Sequence, residues 1–394
     1  MNLHDIAIVA AKRSPLGAFQ GSLTNLSAPE IAAQVLAASL TEISLSSSSV
    51  EEVWMGCVLP AGLGQAPARQ VALKAGLAQS TSSNTVNKVC GSGMRAIMSA
   101  SQSILTGHAT VVAAGGMESM TNAPYFLPKA RAGFRMGHGE VIDHMMRDGL
   151  EDAYDRGKAM GVFAEATAER YGFSREDQDA FAVGSTQKAL KAIEARAFER
   201  EIATITSKVG REMAEITADE TPLKVKLDKI STLRPAFKEG GTVTAANSSS
   251  ISDGAATLIL MSTQEAKAKG LPIRAVLKGM TSHAHEPAWF TTAPVGAMDK
   301  LLRQVGWSKD EVDLYEINEA FAVVTMAAIK DLGLDPSKVN VHGGACALGH
   351  PIGATGARIV VTLLHALEQH NLKKGIASLC IGGGEALALA IERI

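Results

Sequence analysis

The sequence predicts an α/β protein built from two related halves, and three observations carry that prediction. Short β-prone runs alternate with Ala-, Leu- and Ile-rich helical stretches through tight glycine turns. The composition suits such turns, with 37 glycines, 46% apolar residues, 20% charged residues and few aromatics. Two β–turn–α passages recur along the chain. Gly91-Ser92-Gly93-Met94-Arg95-Ala96-Ile97 resembles Ala354-Thr355-Gly356-Ala357-Arg358-Ile359-Val360. Ala113-Ala114-Gly115-Gly116-Met117-Glu118 resembles Cys380-Ile381-Gly382-Gly383-Gly384-Glu385. The spacings are similar, with Gly115 22 residues after Gly93 and Gly382 26 residues after Gly356. Two such halves facing one another place matching turns at a shared cleft. At 394 residues the chain also exceeds what one core usually supports.

Taken in order, Ile6 to Ala11 reads as the first strand, and Lys12-Arg13-Ser14-Pro15-Leu16-Gly17 as a turn. Ser27-Ala28-Pro29-Glu30 is a capping box with proline early in the first turn, opening a helix to about Leu40. Glu52 to Leu59 is strand-like, and Pro67 to Ala75 a short helix. Asn84 to Val89 is a β-prone run that meets Cys90, after which Gly91-Ser92-Gly93 opens a helix through Leu105. Ala109 to Ala114 is a strand leading into Gly115. From about Asn122 to Leu233 the chain carries charge, methionine, scattered glycine and amphipathic helices with few strand signals, so this block reads as an inserted excursion. Within it, Ser174-Arg175-Glu176-Asp177 starts a helix that runs to about Ala197. Alternation resumes with strands expected at Thr242-Val243-Thr244 and at Ala255 to Met261.

The formal net charge of −2 argues against bulk nucleic-acid affinity. Four cysteines, at 57, 90, 346 and 380, fit no zinc spacing and no CxxC pair, and are too sparse for a disulfide framework. No export signal precedes the first strand, and no run reaches the ~18 apolar residues of a membrane span. A cytoplasmic location, with no membrane and no nucleic-acid partner, is expected.

Four places carry candidate chemistry. Cys90 at a strand-to-helix turn faces the positive end of a helix dipole, which is expected to lower its thiol pKa and make a nucleophile. The alternative is a small buried hydrophobe. His350, in the glycine-punctuated loop His342 to Gly356 and followed by Pro351, is either a base for a nearby thiol or a structural histidine. Asn318 is either an oxyanion or water ligand, or a cap for the following helix. The N–H groups of Gly382-Gly383-Gly384 either form an oxyanion site or only permit a tight turn.

These motifs in this order resemble the thiolase family, in its acetyl-CoA acetyltransferase branch, over essentially the whole chain. The matching segments are Val-Cys-Gly-Ser-Gly at 89–93, Gly-Gly-Met-Glu-Ser-Met at 115–120 and Leu-Arg-Pro-Ala-Phe at 233–237. They continue with Asn-Glu-Ala-Phe at 318–321, Ala-Leu-Gly-His-Pro-Ile-Gly-Ala at 347–354 and Cys-Ile-Gly-Gly-Gly at 380–384. The resemblance implies a five-layered αβαβα thiolase fold of two α/β halves. Their expected limits are 1–121 completed by 242–270, with an inserted loop domain at 122–241, and then 271–394. It implies an acyl-CoA C-acyltransferase that condenses two acetyl-CoA to acetoacetyl-CoA and CoA, with no cofactor beyond the CoA thioesters themselves. Cys90 is implied as the nucleophile and Cys380 as the acid/base for the α-proton. His350 is implied to activate Cys90 and, with a water held by Asn318, to stabilise the second substrate's thioester oxygen. The N–H groups of Cys90 and Gly382 are implied as the oxyanion hole. Ser249 matches a contact to the pantetheine arm, and Leu150, Met160, Phe290 and Phe321 match the acyl pocket, where ordinary core packing is the alternative. Cys57 and Cys346 are expected to be core packing. The CoA phosphates are expected to meet basic residues of the insertion, such as Lys224 or Lys226. The loop from Pro124 to Met146 resembles a tetramerisation loop, implying a homotetramer.

The sequence departs from the family pattern in three places. The segment around Ser249 reads Asn247-Ser248-Ser249-Ser250 in place of the commoner Asn-Ala-Ser-Gly. Ala159 stands where many short-chain thiolases have histidine, and Glu385-Ala386 where Met-Gly or Gln-Gly is frequent. Bulky Phe290 suggests a short acyl pocket. The alternatives are a broader-range 3-ketoacyl-CoA thiolase of fatty-acid β-oxidation, a decarboxylating ketosynthase, and a silent acyl-CoA binder. Cys380 at the second base position argues against the ketosynthase, which pairs its cysteine with two histidines.

Overall fold

The computed structural model describes residues 2–394. Its main sheet has ten strands, nine in one continuous path and a tenth, Gly17–Ala18, paired beside Ser252–Ser262. In the first half the strands are Ile6–Arg13, Glu52–Gly56, Ser82–Val86, Val111–Ser119 and Ser252–Ser262. Across the sheet they lie in the order third, second, fourth, fifth, first. In the second half the counterparts are Ala275–Ala284, Leu314–Ile317, an isolated bridge at Val339, Lys374–Ile381 and Glu385–Glu392, in the same order. Each half has two parallel pairings followed by two antiparallel ones. The two first strands join the halves antiparallel, through Ala7↔Val276 and Ile8↔Ala275.

Strand alternation sorts side chains into layers. Ile6 and Ile8 face the central core while Ala7 and Val9 face the outer one; Leu387, Leu389 and Ile391 likewise face inward, and Ala386, Ala388 and Ala390 outward. The helices Ser92–Leu105 and Ile352–Gln369 fill the central layer between the two half-sheets. Ala28–Glu42 and Pro67–Lys74 cover the outer face of the first half, and Ala293–Val305 and Ala322–Leu332 that of the second. The result is the expected five-layered αβαβα arrangement. The central helices touch backbone to backbone at the repeated glycines. A Cβ on Gly356 would stand 2.5 Å from the Met94 nitrogen, and one on Gly93 2.8 Å from the Ala357 nitrogen.

Between its fourth and fifth strands the first half carries the excursion 120–251, where the second half has only Gly382-Gly383-Gly384. Helices Met160–Tyr171 and Arg175–Glu194 form there, the latter with Ser174 and Asp177 in a reciprocal capping box. Buried Arg13 ties the excursion to the first strand, donating to both oxygens of Asp219 (2.6 and 2.8 Å) and to Glu201. One sequence expectation fails here, and one element carries little sequence signal. The excursion does contain strands, a hairpin of Ile205–Val209 with Glu212–Ile216 that turns at Gly210 (φ +63°). It is short and polar, so its periodicity is faint. Thr242-Val243-Thr244 is not a strand. The Glu165 carboxylate takes the Thr242 and Val243 N–H groups, and Asn247 Oδ1 takes that of Thr244, so side chains replace a ladder partner.

Candidate active site

Cys90 stands in the turn between the edge strand Ser82–Val86 and the central helix Ser92–Leu105. Val89 beside it has φ +46°, a conformation that β-branched residues rarely adopt. The turn is held by its own polar groups. Val89 N–H donates to Asn87 Oδ1 (2.9 Å), Lys88 N–H to Ser92 Oγ (2.8 Å), and Ser92 Oγ to the Val89 carbonyl (2.6 Å).

The expectation of a lowered thiol pKa at Cys90 is not met. Burial pushes the thiol up to about 11, outweighing the N–H groups of Gly382 and Cys90, which favour the thiolate; Glu118 adds to the rise. A helix N-terminus is worth about 1 kcal/mol at such a site, less than desolvation of the sulfur.

His350 follows Gly349, whose φ of +107° suits glycine and whose Cβ would stand 2.0 Å from Ser252 Oγ. The Thr355 hydroxyl donates to the Pro351 carbonyl (2.9 Å), which leaves its oxygen to accept from His350 Nδ1–H (2.6 Å). The ring proton is thereby placed on Nδ1, and Nε2 keeps its lone pair. Nε2 is buried and has no hydrogen-bond partner among the described residues. Burial first, and Arg358 second, depress the imidazolium to about 3, so the ring is neutral near pH 7.

Asn318 ends the strand Leu314–Ile317, its N–H donating to the Ser378 carbonyl (3.0 Å). Both atoms of its buried side-chain amide lack a partner among the described residues. This is not how a helix cap is used, because a cap spends its side-chain oxygen on a backbone N–H. Glu319 anchors the turn, accepting from Asn340 Nδ2 (2.8 Å), Ser185 Oγ (2.7 Å) and Cys346 N–H (3.0 Å). Cys380 is fully buried at the end of Lys374–Ile381. Burial, and then the neighbouring Cys90, hold its thiol well above the ordinary range.

An apolar cavity of about 680 Å³ opens over these groups. Of the residues predicted from sequence, Cys90, His350, Gly382, Ser249, Leu150, Met160, Phe290 and Phe321 all line it. Cys380 lies behind that wall, in one hydrophobic cluster with Phe290, Phe321 and Met160. Asn318 is not among the residues that line the cavity. Ala159 lines the cavity, and so does Lys224, whose ammonium rests on Glu220; Lys226 is not among the walls. The segment Ser248–Ser250 ties the parts together. Ser248 bridges Phe321, Ser249 N–H donates to the Ala320 carbonyl (3.0 Å), and His350 N–H donates to the Ser250 carbonyl (3.0 Å). Cys57 and Cys346 are buried away from the cavity, Cys57 Sγ against Glu118 and Cys346 Sγ against the Glu319 carbonyl.

Some supporting residues have roles that the motifs do not assign, although Glu118 and Glu319 sit inside them. Thr355 orients His350, Glu319 and Asn340 hold the Asn318 turn, and buried Glu118 collects the N–H groups of Val58, Leu59 and Gly353. For the two glutamates the sequence signal is a carboxylate close to a strand's apolar residues, as at Met117-Glu118 and Ile317-Asn318-Glu319, because a buried carboxylate demands partners; Thr355 and Asn340 carry no such signal. Burial raises the Glu118 carboxyl to about 7.

Family models describing the N-terminal domain of thiolases and their C-terminal domain match residues 6–264 and 271–393. An acetyl-CoA acetyltransferase of Pseudomonas aeruginosa is 47% identical over 393 residues, with 99% of this chain and 100% of that one covered. One from Saccharomyces cerevisiae is 49% identical over 396 residues, covering 99% of both. Among solved structures, an acetyl-CoA acetyltransferase of Bacillus anthracis superposes with a TM-score of 0.97 at 42% identity, over 100% of this chain and 99% of that one. A thiolase from Ascaris suum in complex with coenzyme A superposes at 0.94 with 41% identity, over 99% and 100%. Fold, motif order and full-length similarity agree: the chain belongs to the thiolase family.

Proposed function

We propose that the protein is an acetyl-CoA C-acetyltransferase that reversibly condenses two acetyl-CoA into acetoacetyl-CoA and CoA through an S-acetyl-Cys90 intermediate. One observation carries this reading. A thiol, a histidine nitrogen with a free lone pair and a backbone N–H from the opposite half meet at one apolar cavity, over a second buried thiol. The names of the full-length relatives support the two-carbon acyl group over the broader-range alternative.

In this mechanism His350 Nε2 takes the Cys90 proton as sulfur attacks the thioester carbonyl. The N–H groups of Cys90 and Gly382 stabilise the resulting oxyanion and polarise the acyl-enzyme. The C–S bond to CoA then breaks and Cys380 gives its thiol proton to the departing CoA sulfur. The Cys380 thiolate so formed removes the α-proton of the second acetyl-CoA, while protonated Nε2 and a water on Asn318 stabilise its thioester oxygen. The carbanion attacks the acetyl group, the bond to Cys90 breaks, and the Cys90 sulfur takes its proton back from His350 Nε2. All of these groups are protein atoms and water; no step draws on a metal or redox group. Leu150, Met160, Phe290 and Phe321 shape the acyl end, Ser249 meets the pantetheine arm, and Lys224 stands nearer than Lys226 to a phosphate entering the mouth.

We further read residues 1–121 with 242–270 and residues 271–394 as the two halves, and 122–241 as the inserted domain; the repeated strand order supports this. A cytoplasmic homotetramer is our reading of its state, supported by apolar side chains exposed on the segment after Pro124.

Thiolysis kinetics over a series of 3-ketoacyl-CoA chain lengths test the proposal. Acetoacetyl-CoA is expected to be cleaved fastest, with Cys90→Ala and Cys380→Ala each losing at least about 10³-fold in kcat. Faster cleavage of longer substrates would instead establish the broader-range thiolase.

A further inference from the structure

Two residues outside the catalytic motifs meet across the cleft. Lys88 lies two residues before Cys90 in the first half, and Glu385 three residues after Gly382 in the second. Lys88 Nζ donates to Glu385 Oε2. The pair joins two turns that are each strained or permissive. Val89 has φ +46°, while Gly383 and Gly384 have φ +92° and +84°. An apolar approach lies beside it: a Cβ on Gly91 would stand 2.5 Å from Ile381 Cδ1.

The two N–H groups that favour a negative charge at Cys90 come from separate halves, one from Cys90 and one from Gly382. Their spacing is therefore a tertiary quantity, fixed by whatever holds the turns together. We propose that the Lys88–Glu385 ion pair is a positioning clamp that sets the distance between the Cys90 and Gly382 N–H donors. This rests on reading those donors as the oxyanion hole. The side chains are 25% and 37% exposed, and a pair this wet adds little to folding stability. Oxyanion donors, in contrast, need placement to within about 0.5 Å. The clamp should therefore be felt in rate and not in unfolding.

The test measures the acetylation rate of Cys90 by acetyl-CoA, by rapid quench and mass spectrometry. It uses Lys88→Gln, Glu385→Gln, the double variant, and the swap Lys88→Glu with Glu385→Lys. Each single variant is expected to slow acetylation by about tenfold with KM within about twofold and an unchanged melting temperature. The double variant should be no slower than either single one, and the swap should recover part of the rate. Singles within twofold of the wild type would overturn the clamp, as would a double variant whose loss is the product of the two. Failure of the wild type to acetylate Cys90 would overturn the oxyanion-hole reading and the clamp together. Normal acetylation with indifferent variants would overturn the clamp alone.

Discussion

At the scale of single residues, the site combines a thiol that holds its proton with a histidine that stays neutral. Cys90 is raised to about 11 and His350 lowered to about 3, each chiefly by burial. No imidazolium–thiolate pair forms at rest, and proton transfer has to accompany attack on the thioester. The groups acting on Cys90 are the N–H of Gly382 and its own, Glu118, and Cys380 on the neighbouring strand end. A thiol with a raised pKa is protonated at every pH below that value, so its thiolate fraction climbs tenfold per pH unit from 7 to 10. Alkylation of Cys90 by iodoacetamide is therefore expected to accelerate across this whole range. A plateau reached below about pH 8 would mean that the thiol ionises early and that the N–H donors outweigh burial.

At the scale of elements, the central helices decide the geometry. Ser92–Leu105 begins just after Cys90 and Ile352–Gln369 just after His350, so their contact sets how the two residues face. That contact is closest at Gly93 and Gly356, where a methyl group would meet backbone nitrogen at 2.8 and 2.5 Å. Backbone cannot rotate aside as a side chain can. Gly356→Ala is expected to destabilise the fold by about 2–3 kcal/mol in urea unfolding and to reduce Cys90 acetylation as the helices part. Wild-type stability and rate in this variant would show that the helix pair has slack. The loop elements are less constrained. The same position between fourth and fifth strands holds three glycines in one half and the excursion 120–251 in the other, so one topology accommodates a tight turn and a large insertion.

At the scale of the whole molecule, neither half contains the site. Cys90 belongs to the first half and His350, Asn318, Cys380 and Gly382 to the second, while the excursion supplies Leu150, Met160 and the cavity mouth. Among the described residues no helix is long and apolar enough to cross a membrane. The segment after Pro124 is nevertheless conspicuously apolar at its surface, with Tyr125 65% exposed and Met136 98% exposed. Such exposure marks an interaction surface. Replacing Met136 and Tyr125 with aspartate is expected to lower the light-scattering mass from four chains to two while acetylation of Cys90 persists. An unchanged mass would overturn the proposed role of this segment in holding four chains together.

Much of this was legible in the one-dimensional chain. Alternating strands and helices, the glycine repeat and the ordered motifs determined the α/β class, the two halves and the identity of Cys90, His350, Asn318 and Cys380 as candidates. These are properties of residue type and local spacing, which a linear chain carries in full. The hairpin at 205–216 was not legible, because four or five alternating polar residues give no clear period. Thr242–Thr244 misled for the opposite reason: β-prone residues can be satisfied by side chains such as Glu165 instead of a strand. The sign of the Cys90 shift was also hidden, since the helix dipole is local but the burial opposing it comes from elements hundreds of residues away. Only the tertiary structure decided that Thr355 leaves His350 Nε2 free, that Asn318 keeps its amide unspent, and that Lys88 meets Glu385. Each depends on a distance between atoms that the sequence places apart and packing brings together.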